Sequence, residues 1–536
     1  MTRWWIAAVA TLACVGAAQA APRLVDLIQH GQDAVALKMI AAGANVNVPQ
    51  GDGTTALDWA TYRLDVPMVK ALLAHGANPN LANSLGSYPL AEAVKAANRP
   101  LVEILLKAGA YADEANPDGQ TPLMLVAHTG EVKIARLLVR YGANVNTREH
   151  WRDQTALMWA AAQNHPRMAQ FLIRHGAKVD LRADYNDWLD KATQVTSEPR
   201  AQYRPEGGLT ALLYATRSGC LGCVKAMLAA HADVNKPTRS AITPLMSAID
   251  NYHYGLAIYL LEHGANPYVW DWYGRTALYC AVDMHTYGVH TGLQGGIYRA
   301  PPQAPAALAT DLKLIKMLLA RGVDPNAQLD LHRPSRGGNS GRFTDDLERT
   351  GATPLLRAAM SHDNVVIKLL LAHGALVDLP NVNGVTPLIT AAGMGLEGGP
   401  GTIVPDQRGD FSHGMQDRAI STIAILLKAG ANINARVTDT SSLTARIARA
   451  STMTDVEGET ALYGAIDRGW PRVVHYLLQH GAKVHVVDAK GRSPLVAATK
   501  GVGLRYFKPK KEVIALIREA TSGGRLTSAL TPAPAL

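Results

Sequence analysis

Apolar positions return along this chain on a fixed beat. Leu57, Leu90 and Leu123 stand 33 residues apart, each behind a Thr/Tyr–Ala/Pro pair. The same step links Leu212, Leu245 and Leu278, then Leu355 and Leu388, then Leu462 and Leu495. Between beats the spacing is helical: Ala127 falls on the face of Leu123, and after a turn at Gly130 the residues Ile134, Leu137 and Leu138 form one apolar stripe. Each period therefore predicts two short helices. Thr121 caps the first with Pro122 at its opening position, and Gly142 ends the second in the left-handed conformation. Helices this short have nowhere to bury a stripe except against a neighbour, so the pattern predicts a stacked array whose core lies between copies.

The full unit runs from Gly119 to Arg152: Gly-x-Thr-Pro-Leu, a small-residue helix, a turn, a second helix, and the closure Gly142-Ala143-Asn144-Val145-Asn146. Matching closures begin at Gly43, Gly76, Gly109, Gly176, Gly264, Gly374, Gly430 and Gly481, with variants at His231-Ala232 and Gly322-Val323. These residues resemble the ankyrin repeat along nearly the whole chain. The resemblance implies an all-α solenoid of about twelve helix–turn–helix repeats over residues 21–522 with long loop insertions. At about 8–10 Å per packed layer it is expected to reach roughly 100–120 Å. One departure is consistent. The histidine of the family's Thr-Pro-Leu-His is absent; its slot holds Asp58, Ala91, Met124, Met158, Leu213, Met246, Tyr279, Leu356, Ile389, Tyr463 or Val496, so apolar packing is expected to replace its hydrogen bond.

The beat breaks after Leu157, after Leu278 and after Leu388. The excess resolves into inserts near 184–207, 284–309, 327–350, 393–418 and 436–457. The first, third and fifth lengthen the connection between repeats, whereas the second and fourth separate the two helices of one repeat. Gly295-Gly296, Pro301-Pro302, Gly337-Gly338 and Gly398-Gly399-Pro400-Gly401 read as turns or breakers within them. Residues 523–536 read as a disordered tail.

Composition changes this picture at the N-terminus. Arg3, an apolar run from Trp4 to Ala18, and Ala18-Gln19-Ala20 before Ala21 have the order of a signal peptide, so the mature chain is expected to start at Ala21 in the periplasm or outside the cell. No later stretch has the roughly 18–20 apolar residues of a membrane span. Without residues 1–20 the chain carries 52 basic and 44 acidic residues, a net of +8, and three cysteines. Three cysteines are no disulfide framework, so packing must hold the fold. The thin positive excess favours an anionic partner such as an acidic protein, yet no basic run is dense enough for a nucleic-acid groove.

Candidate chemistry is sparse. Cys220-Leu-Gly-Cys223 follows a helix, not a strand, and reads as two small buried thiols or a local disulfide, with Cys280 two repeats on and out of reach. His75, His175, His263, His373 and His480 each directly precede a helix-ending glycine, where an imidazole suits the negative end of the helix dipole. His285 and His290 in an insert are the one weak metal pair, and Arg408-Gly409-Asp410 is a tripeptide too common to count. No phosphate loop, nucleophile elbow or zinc-protease helix occurs, so no catalytic residue, metal or cofactor is assigned.

What the resemblance implies is protein binding through finger tips and the last turn of each first helix. The tip before Leu278 holds Tyr268, Trp270, Trp272, Tyr273 and Arg275, residue types that dominate binding hot spots. Trp151 and Arg148 on an earlier finger, with Tyr62, Arg63, Lys95 and Arg217 on first helices, extend the same concave face. The same aromatic cluster also fits inward packing against the 284–309 insert. Trp59, Trp159 and Tyr214 fall one position earlier and are read as framework. The reading is a non-catalytic binding scaffold in an exported compartment. Its rivals are an enzyme or metal protein with a site built from the inserts, and a module that stabilises an envelope enzyme.

Overall fold

A computed structural model describes residues 23–186, 206–289, 305–330, 351–394, 411–438, 456–500 and 509–523. The expected signal segment, the centres of all five inserts, His290, Arg408–Asp410 and most of the expected tail lie outside these. The described residues form twenty-four helices and one small hairpin, Tyr185–Asn186 against Glu206–Gly207. The helices come in twelve consecutive pairs. No helix among them is long and apolar enough to cross a membrane.

The chain divides into two compact units, Met1–Trp151 with Arg174–Ala177, and Arg152–Ile173 with Lys178–Leu536. In the first, the first helices Leu24–Gln29, Ala56–Tyr62, Pro89–Lys95 and Pro122–Thr129 pack in sequence order, and so do the second helices from Asp33–Ala41 to Val132–Arg140. In the second unit the first helices follow the same rule from Ala156–Ala162 to Pro494–Lys500. Inserts do not disturb the order: Ala277–Val289 packs on Pro354–Met360, and Pro387–Ala391 on Ala461–Arg468.

Local chemistry sets each helix end. Thr121 Oγ1 accepts the backbone N–H of Met124 at 3.3 Å, and Thr155, Thr210, Thr243, Thr353 and Thr386 cap their helices the same way. The beat leucines are buried; Leu123, Leu278 and Leu388 are 0% exposed. Burying one such side chain stabilises by about 1.5–3 kcal/mol, and helices of seven to nine residues do not persist without it.

Two ladders join neighbouring repeats. Asn80 donates from its amide to Gly109 O at 3.0 Å while its Oδ1 accepts Tyr111 N–H at 2.8 Å. Asn47, Asn235, Asn326 and Asn434 repeat both bonds one repeat at a time. At the tips, one backbone N–H reaches the previous finger: Ser84 to Asp52 O, His150 to Asp118 O, Trp272 to Ser240 O, Asp330 to Tyr273 O and Ala489 to Glu457 O.

The missing-histidine slot is apolar and buried at Met124, Met158, Leu213, Met246, Leu356 and Ile389. The expectation of apolar packing fails at two positions. Tyr463 donates across to the next finger, its hydroxyl 2.8 Å from Val486 O and 2.6 Å from Arg492 O. Asp58 forms a capping box with Thr55, and burial, opposed by those hydrogen bonds, pushes its carboxyl up to about 6.

The described edges of the inserts are ordered in two ways. The three inserts between repeats hang from a clasp of backbone bonds, Ala183 N–H to Leu209 O, Leu329 with Gly351 and Ala352, and Val437 with Gly458 and Glu459. One residue earlier, a side chain staples that clasp to the next finger. Arg182 donates to Gly208 O and Pro237 O, Gln328 to Gly351 O and Pro380 O, and Arg436 to Gly458 O and Val487 O. The two inserts inside a repeat continue its helices instead, so that Ala277–Val289, Pro305–Ala320 and Phe411–Lys428 run 13, 16 and 18 residues.

Candidate functional site

The aromatic finger of the second unit is built around Asp271. Its Oδ1 accepts the N–H groups of Tyr273 and Arg275 at 3.0 and 2.9 Å, and Gly274, at φ +75°, supplies the left-handed residue that closes the turn. Trp270 pairs across the finger with Thr276. This bracing splits the five residues expected at the tip. Trp270 and Trp272 are 64% and 45% exposed, whereas Tyr273 and Arg275 are 3% and 2% exposed.

Tyr273 and Arg275 are therefore corrected from partner contacts to framework. Arg275 donates from Nη1 and Nη2 to both oxygens of Asp250 at 3.0 and 3.1 Å, and from Nε to Asp271 Oδ2 at 2.7 Å. Burial works against its charge, but Asp250 leads a set of groups that hold the guanidinium well above the ordinary arginine range. The signal was present in the sequence. Asp271-x-x-Gly274-Arg275 recurs as Asp488-x-x-Gly491-Arg492, where Arg492 again pairs back onto the aspartate that braces its finger.

Tyr268 is half exposed, but its hydroxyl donates to Arg321 O at 2.6 Å. It occupies the closure position that asparagine fills in other repeats and bridges outward in its place. Arg217 is exposed on the last turn of Ala211–Ser218, the helix end away from its finger.

In the first unit, Tyr62 and Trp151 are 66% and 77% exposed. Arg148 is half-buried, and Lys95 is exposed beside Glu92 at 3.0 Å. Arg63 is a strut: it grips Asp33 at 2.7 and 3.0 Å and donates to Ile28 O at 2.7 Å, so its ends are spent inside the array. Trp59 bonds Gln50 through its indole N–H at 3.0 Å, in keeping with a framework role. The expected residues thus divide between the two units.

The remaining candidates resolve structurally. His75, His263, His373 and His480 each place Nδ1 2.7–2.8 Å from the carbonyl four residues back, serving as helix-end caps. Cys220 and Cys223 form a disulfide that is buried, and Cys280 is buried outside that disulfide. His285 lies 3% exposed between two carboxylates, Nδ1 2.9 Å from Asp311 Oδ2 and Nε2 3.2 Å from Asp363 Oδ2. Both ring nitrogens face those acids, so His285 packs as part of a charged cluster within the array. Burial disfavours its charge, yet the Asp311 contact and the Asp363 charge outweigh that and raise the imidazole above its usual range. Beside it Arg357 Nε donates to Asp283 Oδ1 at 2.7 Å. Nothing in the spacing of the sequence pointed to this cluster, because its acids come from different repeats.

Comparison with protein families agrees with the geometry. A model described as Ankyrin repeats (3 copies) matches residues 24–116, 90–183, 212–291 and 305–398. A second, described as Ankyrin repeat, matches residues 457–489. Such repeats are in general protein-interaction scaffolds. The matches cover well over half of the residues and fall on the helix pairs described above, and the chain therefore belongs to the ankyrin repeat family.

Proposed function

We propose that this chain is a non-catalytic protein-binding scaffold acting in an exported compartment, and that the Trp270–Trp272 finger makes the decisive contact. One observation carries the reading. Two indoles stand 64% and 45% exposed on a finger that Asp271, Arg275 and Asp250 hold rigid. An exposed aromatic on a preorganised turn loses little conformational freedom on binding, so most of its burial goes into affinity. Export is supported by the signal-like order of residues 1–20 and by a disulfide, a bond that persists mainly in oxidising spaces.

The test is capture of partners by crosslinking from an extract of the exported compartment. A folded Trp270→Ala/Trp272→Ala double variant is expected to lose the partner that the parent chain retains. Undiminished capture would sink the site assignment.

A further inference from the structure

Beside Trp270 lies an open groove of about 250 Å³, lined by Trp270, Gly274, Thr276, Ala327, Gln328 and Asp330. It runs between the aromatic finger and the next one. Its far wall is fixed by backbone: Asp330 N–H donates to Tyr273 O at 3.0 Å, and Gln328 donates from its amide to Gly351 O and Pro380 O. Gly274 lets the two fingers approach closely. A Cβ there would stand 2.6 Å from Asp330 N, 3.0 Å from Gln328 O and 3.1 Å from Asp330 Cγ, so any side chain would collide with the groove's far wall.

The groove differs in charge from the chain that carries it. The whole sequence has a formal net charge of +9, yet Asp250 and Asp271 pair with Arg275 at this finger and Asp330 lines the groove. Arg275 is consumed by the first two, and Asp330 is exposed with no ion pair among the described residues. An indole face beside a carboxylate suits a cation. The ring attracts it through the negative face of its π-system, and the carboxylate adds a charge–charge attraction.

We infer that this groove takes a cationic side chain, the guanidinium or ammonium of an arginine or lysine on the partner polypeptide, packed on Trp270 with its charge toward Asp330. The inference rests on the docking reading above and names the partner's chemistry at that surface. It runs against the expectation of an acidic partner, which came from net charge alone. Local charge, not the sum, meets the ligand.

The experiment uses the full chain labelled with 5-fluorotryptophan, with the Trp270 fluorine signal assigned through Trp270→Phe. The probes are Nα-acetyl-arginine amide and Nα-acetyl-citrulline amide, which is its uncharged near-isostere, at matched ionic strength. The Trp270 signal is expected to move with arginine and not with citrulline, and Asp330→Asn is expected to raise the half-saturating concentration about two- to fivefold. Asp330→Asn leaves the backbone bond to Tyr273 in place, so misfolding does not mimic the result. No movement, or equal movement with both probes, overturns the inference. If partner capture still depends on Trp270 and Trp272 in that case, the docking reading stands and only the cation assignment falls.

Discussion

At the scale of single residues, what separates an exposed tip from a framework strut is one aspartate. Asp271 turns its finger so that Trp270 and Trp272 face solvent while Tyr273 and Arg275 turn in. Aromatic and basic composition marked the finger in the sequence, but composition does not set direction; the turn's hydrogen bonds do. Arg275→Gln is accordingly expected to destabilise the array by about 3 kcal/mol, because it leaves two acids largely uncompensated. Trp272→Ala should stay within about 0.5 kcal/mol. Urea unfolding of both variants checks the contrast, and similar losses would contradict it.

His285 adds a pH dependence at the same scale. Its folded-state titration is raised, so the stability it contributes is complete below its unfolded value of 6.5 and is lost as pH rises through the higher folded value. Asp363 is also raised, chiefly by burial, and works in the same sense from 3.8 upward. Asp311 is the other charge against the ring, and Asp283, paired with Arg357, lies two residues along the same helix. Thermal midpoints are therefore expected to fall as pH rises past 6.5 in the parent chain, with a flatter profile in His285→Gln. Parallel profiles would dismiss the tie.

At the scale of elements, the helix pairs were legible because one 33-residue period fixes both the beat leucines and the closing glycines. The bridging asparagines of the closure were equally visible and went unread. Their recurrence four residues after the helix-ending glycine, as in Gly76 and Asn80, is their signal. The clasps were not visible, since they join residues more than twenty positions apart, such as Leu329 and Ala352. Helical continuation into the inserts was missed because periodicity breaks before helicity does: no glycine or proline interrupts Ala277 to Tyr287. Gly351 sits at φ +79°, where a Cβ would lie 2.7 Å from Val382 N. Gly351→Ala should cost at least about 1 kcal/mol by strain at the clasp, measurable as a lower unfolding midpoint.

At the scale of the whole molecule, packing between repeats carries stability and the disulfide adds little. Cys220 and Cys223 are three residues apart, and closing so short a loop removes at most about 2 kcal/mol of chain entropy. Reduction is expected to lower the melting temperature slightly while leaving helical content intact; cooperative unfolding on reduction would contradict this. Family and fold followed from the sequence since a repeat writes its architecture many times over, whereas a binding surface is written once. The central claim is that one rigid aromatic finger carries the affinity. The most direct measurement is the dissociation constant of the captured partner for the parent chain and for Trp270→Ala/Trp272→Ala. Loss of two hot-spot side chains predicts weakening of about thirtyfold or more. An unchanged constant, with the double variant folded, would contradict the account.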